Sequence, residues 1–282
     1  EGSAVVAGGI SCPVFGEEGP TVAINGKAYP RGTVVGAGLS GSVGLQAVVA
    51  QGCRPIGKLY EVTKGQGNFI EELDGKPAVE VLGKIGEGSD LSEDDKKNIQ
   101  TYGIMVGLAT PGAKDVQMGD YLIRQILGFR APAVMVGAEV KTGDLLMFHV
   151  RDPNTALRDM ENMIGRAKTE RMFSTNPGKP LAALQISCVA RGRLLFGRPN
   201  VDVNNVKRLL QENNNPAAIG GFFANGEIGP TGIAGVGIAS KATHMHGFTT
   251  VACTISDFSA PLTPPPDQVE AATTQEDDSA WG

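Results

Sequence analysis

The stretch "GTVVGAGLSGSVGLQ", Gly32 to Gln46, decides the fold class. It holds Gly36-x-Gly38-x-x-Gly41, the glycine spacing of the turn that carries a dinucleotide pyrophosphate at the head of a doubly wound sheet. That turn needs a strand before its first glycine and a helix opening at its third. Thr33, Val34 and Val35 are strand formers, so the first condition is met. The second is not. "SVGLQAVVAQGCRP" follows Gly41, with another glycine at 44, adjacent β-branched Val48 and Val49, and a break at Gly52. Val43, Leu45 and Ala47 alternate with Gly44, Gln46 and Val48, the period of a strand. Glu61 stands where a ribose-binding acid would, but "KLYEVT" around it also reads as strand. The glycines are therefore expected to serve close packing between paired strands, and no nucleotide or other cofactor is expected.

Working outward, "TVAING" carries the hairpin signal Asn25-Gly26. Pro77 opens "PAVEVLGKIGEG" at helical spacing, and "SDLSEDDKKNI" is a polar surface helix or loop. "DYLIRQILGFR", "PAVMVGAEV" and "DLLMFHV" suit a meander of strands. "DPNTALRDMENMIGRAKTERMF" is the clearest helix, with Asp152 as N-cap, Pro153 at its first position and an apolar stripe of Ala156, Leu157, Met160, Met163 and Ile164. "PLAALQISCVA" reads as a buried strand and "DVNNVKRLLQENN" as a second amphipathic helix. "AAIGGFFANG", "TGIAGVGIAS" and "FTTVACTIS" close the sequence pattern as strands. Helices and strands mix without strict alternation. The expected class is α+β, with mixed and antiparallel sheets in meanders and a few packed helices.

The chain has 282 residues, 41% hydrophobic and 20% charged, which is globular composition. Its net charge of -5, with no basic run, argues against nucleic acid as a partner. No apolar run reaches the ~18 residues of a membrane span. The start has no basic segment leading into an apolar one, so no secretory signal is read there. The chain begins at Glu1 rather than Met and is expected to be processed or part of something longer. Cys12, Cys53, Cys188 and Cys253 are widely spaced, with no metal-ligand pattern, and are expected to be free buried thiols in a reducing compartment.

Chemistry concentrates late in the chain. In "GGFFANGEIGP", Gly220 to Pro230, Glu227 leaves a sheet among glycines, where it could bind an amine or guanidinium group. The bland alternative is a hairpin turn with an exposed or Arg-paired glutamate. "THMHGFT" places His244 and His246 on one face of a strand. A metal would need further ligands, with Glu227 the one attractive candidate, and none is expected. Structural hydrogen bonding and ligand contact both remain open for His246. His149 is expected to be half-buried in a strand. Cys188 reads as inert packing, since a nucleophile would need a base such as His246 beside it. Arg191 binds an anionic ligand or pairs with Glu227, and Arg151-Asp152 reads as helix capping plus an ion pair. Arg191, Asn225, Glu227 and His246 form the candidate ligand-binding set.

Four blocks in order carry a family resemblance: "QGCRPIGKLYEVTKGQGNFIEELDGKPAVEVL", "GDLLMFHVRDPNTALRDME", "SCVARGRLLFG" and "GGFFANGEIGPTG…THMHGFT". They resemble FIST proteins, at the junction of the N- and C-terminal parts and along the C-terminal domain. The "ANGEIGP" and "HMHGFT" forms resemble cyanobacterial and algal or plant versions. The resemblance implies residues 1–56 as the end of a FIST N-terminal domain, 57–258 as the C-terminal domain, and 259–282 as a Pro-rich, acidic, flexible or partner-docking tail. The rest of the N-terminal half is expected upstream of Glu1. It also implies an intracellular sensory domain for a small, amino-acid-like ligand, cytoplasmic or plastid, and no known enzyme. A zwitterion would be held by Arg191 and Glu227. The alternatives are an F-box-type recognition or interaction subunit, with protein partners on the tail, and a cysteine hydrolase using Cys188 and His246.

Overall fold

A computed structural model describes residues 4–11, 22–88, 91–110, 116, 119–210, 218–235 and 242–259. The chain opens with the short strand β1 (Gly8–Gly9), followed by the hairpin of β2 (Val22–Ile24) and β3 (Lys27–Tyr29). Asn25 and Gly26 both take positive φ in its turn, as a tight two-residue hairpin requires. Thr33 to Ser40 form no regular element, contrary to the expected strand before Gly36. Among the described residues, nothing lies within 4 Å of where a Cβ on Gly36 or Gly38 would stand, and neither glycine is in a strand. After Gly41 the chain enters β4 (Val43–Ala50), a strand and not a helix.

Two residues later β5 (Cys53–Gln66) begins a second body. The expected domain boundary at residue 56 falls inside this strand. β6 (Phe69–Leu73), β7 (Lys76–Pro77), α1 (Ala78–Gly86) and α2 (Glu93–Tyr102) follow, then β8 (Ile104–Ala109), β9 (Tyr121–Arg130), β10 (Ala133–Val136) and β11 (Leu145–Arg151). The polar stretch after residue 90 is a helix because Ser92 and Asp95 form a reciprocal capping box, the Ser92 hydroxyl accepting from Asp95 N at 3.1 Å.

The strand order is β10-β9-β8-β11-β5-β6-β7, all antiparallel, and β10 also pairs with β6. That last pairing closes the sheet into a barrel. The expected meander of β9, β10 and β11 is corrected: β11 does not neighbour β10 but sits between β8 and β5. The core of this body runs from Ile56, Val62, Ile70 and Phe148 to Ala78, Val81 and Leu82 of α1. Small barrels are filled by side chains in this way.

The remaining elements are α3 (Pro153–Met172), β12 (Lys179–Cys188), α4 (Arg193–Phe196), α5 (Val201–Leu210), β13 (Ala218–Ala224), β14 (Glu227–Pro230), β15 (Ile233–Ala234), β16 (Thr243–His246) and β17 (Thr250–Asp257). They return to β4. A five-stranded sheet of order β13-β12-β17-β4-β15 is antiparallel except for β12 with β13. α3 and α5 cover one face, where Met160, Ile164 and Leu209 are buried against Val48 and Ala252. Burial of each such side chain contributes about 1.5–3 kcal/mol. The other face holds Val49, Ile186 and Val251. There Gly229 of β14 closely approaches Val49 and Val251, and β14 joins β1 and β16 in a three-stranded sheet.

α3 begins as its sequence specifies, with Asp152 Oδ1 accepting from Asn154 N at 2.8 Å and Thr155 N at 3.1 Å. The ion pair of Asp152 is with Arg54, at 3.5 Å. Arg151 instead lies between the rings of Tyr102 and Phe248 and donates to the Ala190 carbonyl. The architecture is α+β. Residues 260–282 of the expected tail, and most of "GVGIAS", lie outside the described residues. No helix among the described residues is long and apolar enough to cross a membrane.

Candidate functional site

The three-stranded sheet sets Glu227 directly across from His246. Both are sealed from solvent, at 0% and 2% exposure. Glu227 Oε2 accepts from Thr249 Oγ1 at 2.7 Å and Thr249 N at 3.2 Å, while Oε1 has no partner among the described residues. Burial pushes its pKa up to about 7, against the opposing pull of the Thr249 hydrogen bonds and the Arg191 charge. His246 Nε2 faces the Gly229 and Pro230 carbonyls at 3.1 and 3.0 Å, which requires Nε2 to carry the proton. Nδ1 is left as an acceptor without a partner among the described residues. Burial drives the His246 pKa down to about 4, so the ring is neutral near pH 7.

Arg191 is 1% exposed. Its fork binds Asp202 through Nε at 2.8 Å and Nη2 at 2.7 Å, and that pair outweighs burial in keeping it charged. Its ion pair is therefore with Asp202 and not with Glu227. Its Nη1 has no partner among the described residues and lies close to where a Cβ on Gly52 would stand. Asn225 is exposed in the turn before β14, tied through its backbone to the Ile10 carbonyl at 2.8 Å. The structure thus brings Glu227 and His246 together, puts Arg191 within electrostatic reach, and leaves Asn225 apart. Glu227 is neither exposed nor a turn residue.

Cys188 is buried, and both burial and the Glu227 charge raise its pKa, the reverse of what an attacking thiolate needs. His246 Nδ1 receives no hydrogen bond from it. Cys53, Cys188 and Cys253 are free and buried, and Cys12 lies outside the described residues. His149 is 1% exposed rather than half-buried, stacked edge-on to Tyr121 at 4.9 Å.

A separate, open cleft contains Asp159, which the Arg191 charge reaches. This cleft of about 870 Å³ runs along α3 to the end of β4, where Gln51, Asp159, Asn162, Arg166, Thr169 and Glu170 are among its lining residues. Gln51 lines it, donating from its backbone N to Asp159 Oδ2 at 2.6 Å and from Nε2 to the Tyr121 carbonyl at 2.7 Å. Burial raises the Asp159 pKa, while the Gln51 bond and the charges of Arg191 and Arg166 lower it. Glu170 Oε2 is buried without a partner among the described residues. Among the described residues, Arg166 makes only a 3.9 Å contact with the Met163 sulfur. The cleft therefore presents one cation, Arg166, beside four carboxylates, Asp120, Asp159, Glu161 and Glu170, and Glu170 Oε2 is unpartnered among the described residues. Sequence reading marked the apolar stripe of α3 and passed over this polar face. Its signal was Asp159, Asn162, Arg166 and Glu170 recurring at helical spacing.

Residues 1–76 match the FIST N domain family and residues 78–230 the FIST C domain family. The two matches meet at Pro77, where β7 gives way to α1. Both the barrel and the five-stranded sheet take strands from each match. An uncharacterized protein of Mycobacterium bovis is 37% identical over 224 residues, covering 77% of this chain and 51% of its own length. An uncharacterized protein of Mycobacterium tuberculosis is 36% identical over 224 residues, covering 77% of this chain and 52% of its own. The chain spans about half the length of the curated relatives it matches.

Proposed function

We propose that this chain, which belongs to the FIST family, is a small-ligand-binding sensory module of a signal-transduction protein, and that an amino-acid-like ligand occupies the cleft along α3. FIST domains are thought to sense small ligands. One observation supports this cleft for that role: Arg166, without a carboxylate partner of its own among the described residues, shares it with Asp159 and Glu170, and with Asp120 and Glu161 beside them. A zwitterion matches that set, its carboxylate on the Arg166 guanidinium and its ammonium on Glu170 and Asp159. Arg191, Glu227 and His246 lie outside the cleft lining: Arg191 favours the charged form of Asp159, and the other two are partners across the β14–β16 ladder.

Titration calorimetry with each proteinogenic amino acid tests the reading. At least one is expected to bind, and Arg166→Met is expected to weaken it about tenfold or more, the loss of one charge-assisted contact. Glu170→Gln is expected to weaken it as well. Absence of any amino-acid binding, or a hit that binds Arg166→Met as tightly as the parent, overturns the assignment.

A further inference from the structure

We propose a second, separate ligand site, for a compact carboxamide, between β13 and the start of α5. A cavity of about 300 Å³ opens there, at the small end of the range for ligand pockets. Gln185, Ser187 and Asp202 line it, and each is nine-tenths or more buried. Their hydrogen bonds leave a defined remainder. Gln185 Nε2 donates to Ser187 Oγ at 3.1 Å, and the Ser187 and Thr250 hydroxyls share a bond of 2.7 Å. Gln185 Oε1 accepts no hydrogen bond among the described residues. Both carboxylate oxygens of Asp202 are taken by Arg191, so the pair presents no net charge to the cavity.

The first turn of α5, a helix of 10 residues, lines the same cavity through Val201, Asp202 and Val203. The backbone N–H groups of such a turn have no acceptor within the helix. The other walls are Asn200, glycine backbone and the apolar Val203, Ile219 and Phe223, the last 57% exposed. A primary carboxamide uses all three features at once. Its carbonyl accepts from the α5 amides, its NH₂ donates to Gln185 Oε1, and an apolar body lies on Phe223, Val203 and Ile219. A carboxylate brings no donor for Gln185. An ammonium meets the positive end of the α5 dipole. The site does not depend on the α3 cleft, with which it shares none of the lining residues.

Benzamide serves as the probe, with benzoate and benzylamine as controls, in ligand-observed NMR titrations of the full chain. Benzamide is expected to bind saturably and more tightly than either control. Gln185→Met is expected to weaken it about fivefold to tenfold, the loss of one hydrogen bond. Val203→Trp and Ile219→Trp, which fill the cavity, are expected to abolish it, and melting curves establish which variants are folded. Wild-type protein that does not bind benzamide overturns the proposal. So does benzamide binding that is unchanged in Gln185→Met and in a folded cavity-filling variant.

Discussion

Glu227 and His246 face each other across the β14–β16 ladder, both sealed from solvent, and each keeps one polar atom without a partner among the described residues. Their titrations act on stability with opposite signs.

Glu227 goes from an ordinary 4.5 to about 7 on folding, so the folded chain holds a proton that the unfolded chain sheds. Its contribution to stability is present on the acid side and is lost as pH rises from 4.5 through 7. Glu227→Gln removes this loss. The stability difference between the variant and the parent is expected to move in the variant's favour by about 2–3 kcal/mol from pH 5 to pH 8. Urea unfolding at the two pH values measures it, and a difference that does not change with pH refutes it.

His246 and His149 both fall to about 4, so the unfolded chain takes up protons that the folded chain refuses. Stability from these two rings is lost as pH falls from 6.5 toward 4. The acid limb of the unfolding profile is expected to be shallower in His149→Gln than in the parent. Two superimposable limbs would remove His149 from the account.

Arg191 and Asp202 are a buried pair, and removing one partner strands the other. Arg191→Met is expected to cost about 3–5 kcal/mol, and Arg191→Met with Asp202→Leu to recover much of it. A double mutant no more stable than the single would show that the two charges do not depend on each other.

Gly107 sits beneath the His149 ring, where an added Cβ would collide with Cε1 and Nδ1. Gly107→Ala is expected to destabilise by about 1–3 kcal/mol. The same change is expected to cost less in a His149→Ala background, which a thermal double-mutant cycle reads directly.

The N-cap of α3 is the simplest case. Asp152→Ala removes the acceptor for two first-turn amides and is expected to cost about 1 kcal/mol. Denaturant midpoints at constant slope measure it, and an unchanged midpoint would mean that water replaces the cap.

The sequence is most legible where structure is local. Asp152-Pro153 starts α3, Asn25-Gly26 turns the β2–β3 hairpin, and the alternation after Gly41 is a strand. Barrel closure is not legible, because β10 pairs with β6 more than sixty positions away through Val134 and Ile70, and neither strand's pattern names its partner. The candidate site was obscured differently. Arg191, Glu227 and His246 are polar residues in unusual settings, but polarity in a sequence carries no information about depth, and all three are buried. The α3 cleft draws on residues spread over several helical turns and on Gln51, more than a hundred positions earlier, which only tertiary structure brings together.

Gly52 has a mechanical consequence. The chain crosses from sheet to barrel in two residues there and returns beside itself at Asp152, whose N donates to the Gly52 carbonyl at 3.4 Å. A Cβ on Gly52 would stand 2.7 Å from the Phe248 carbonyl. The crossing is thus a clamped double strut and not a swivel. Through Gln51, the neighbour of Gly52, a load on Asp159 passes straight into that strut, so the sheet and the barrel would feel it as one lever.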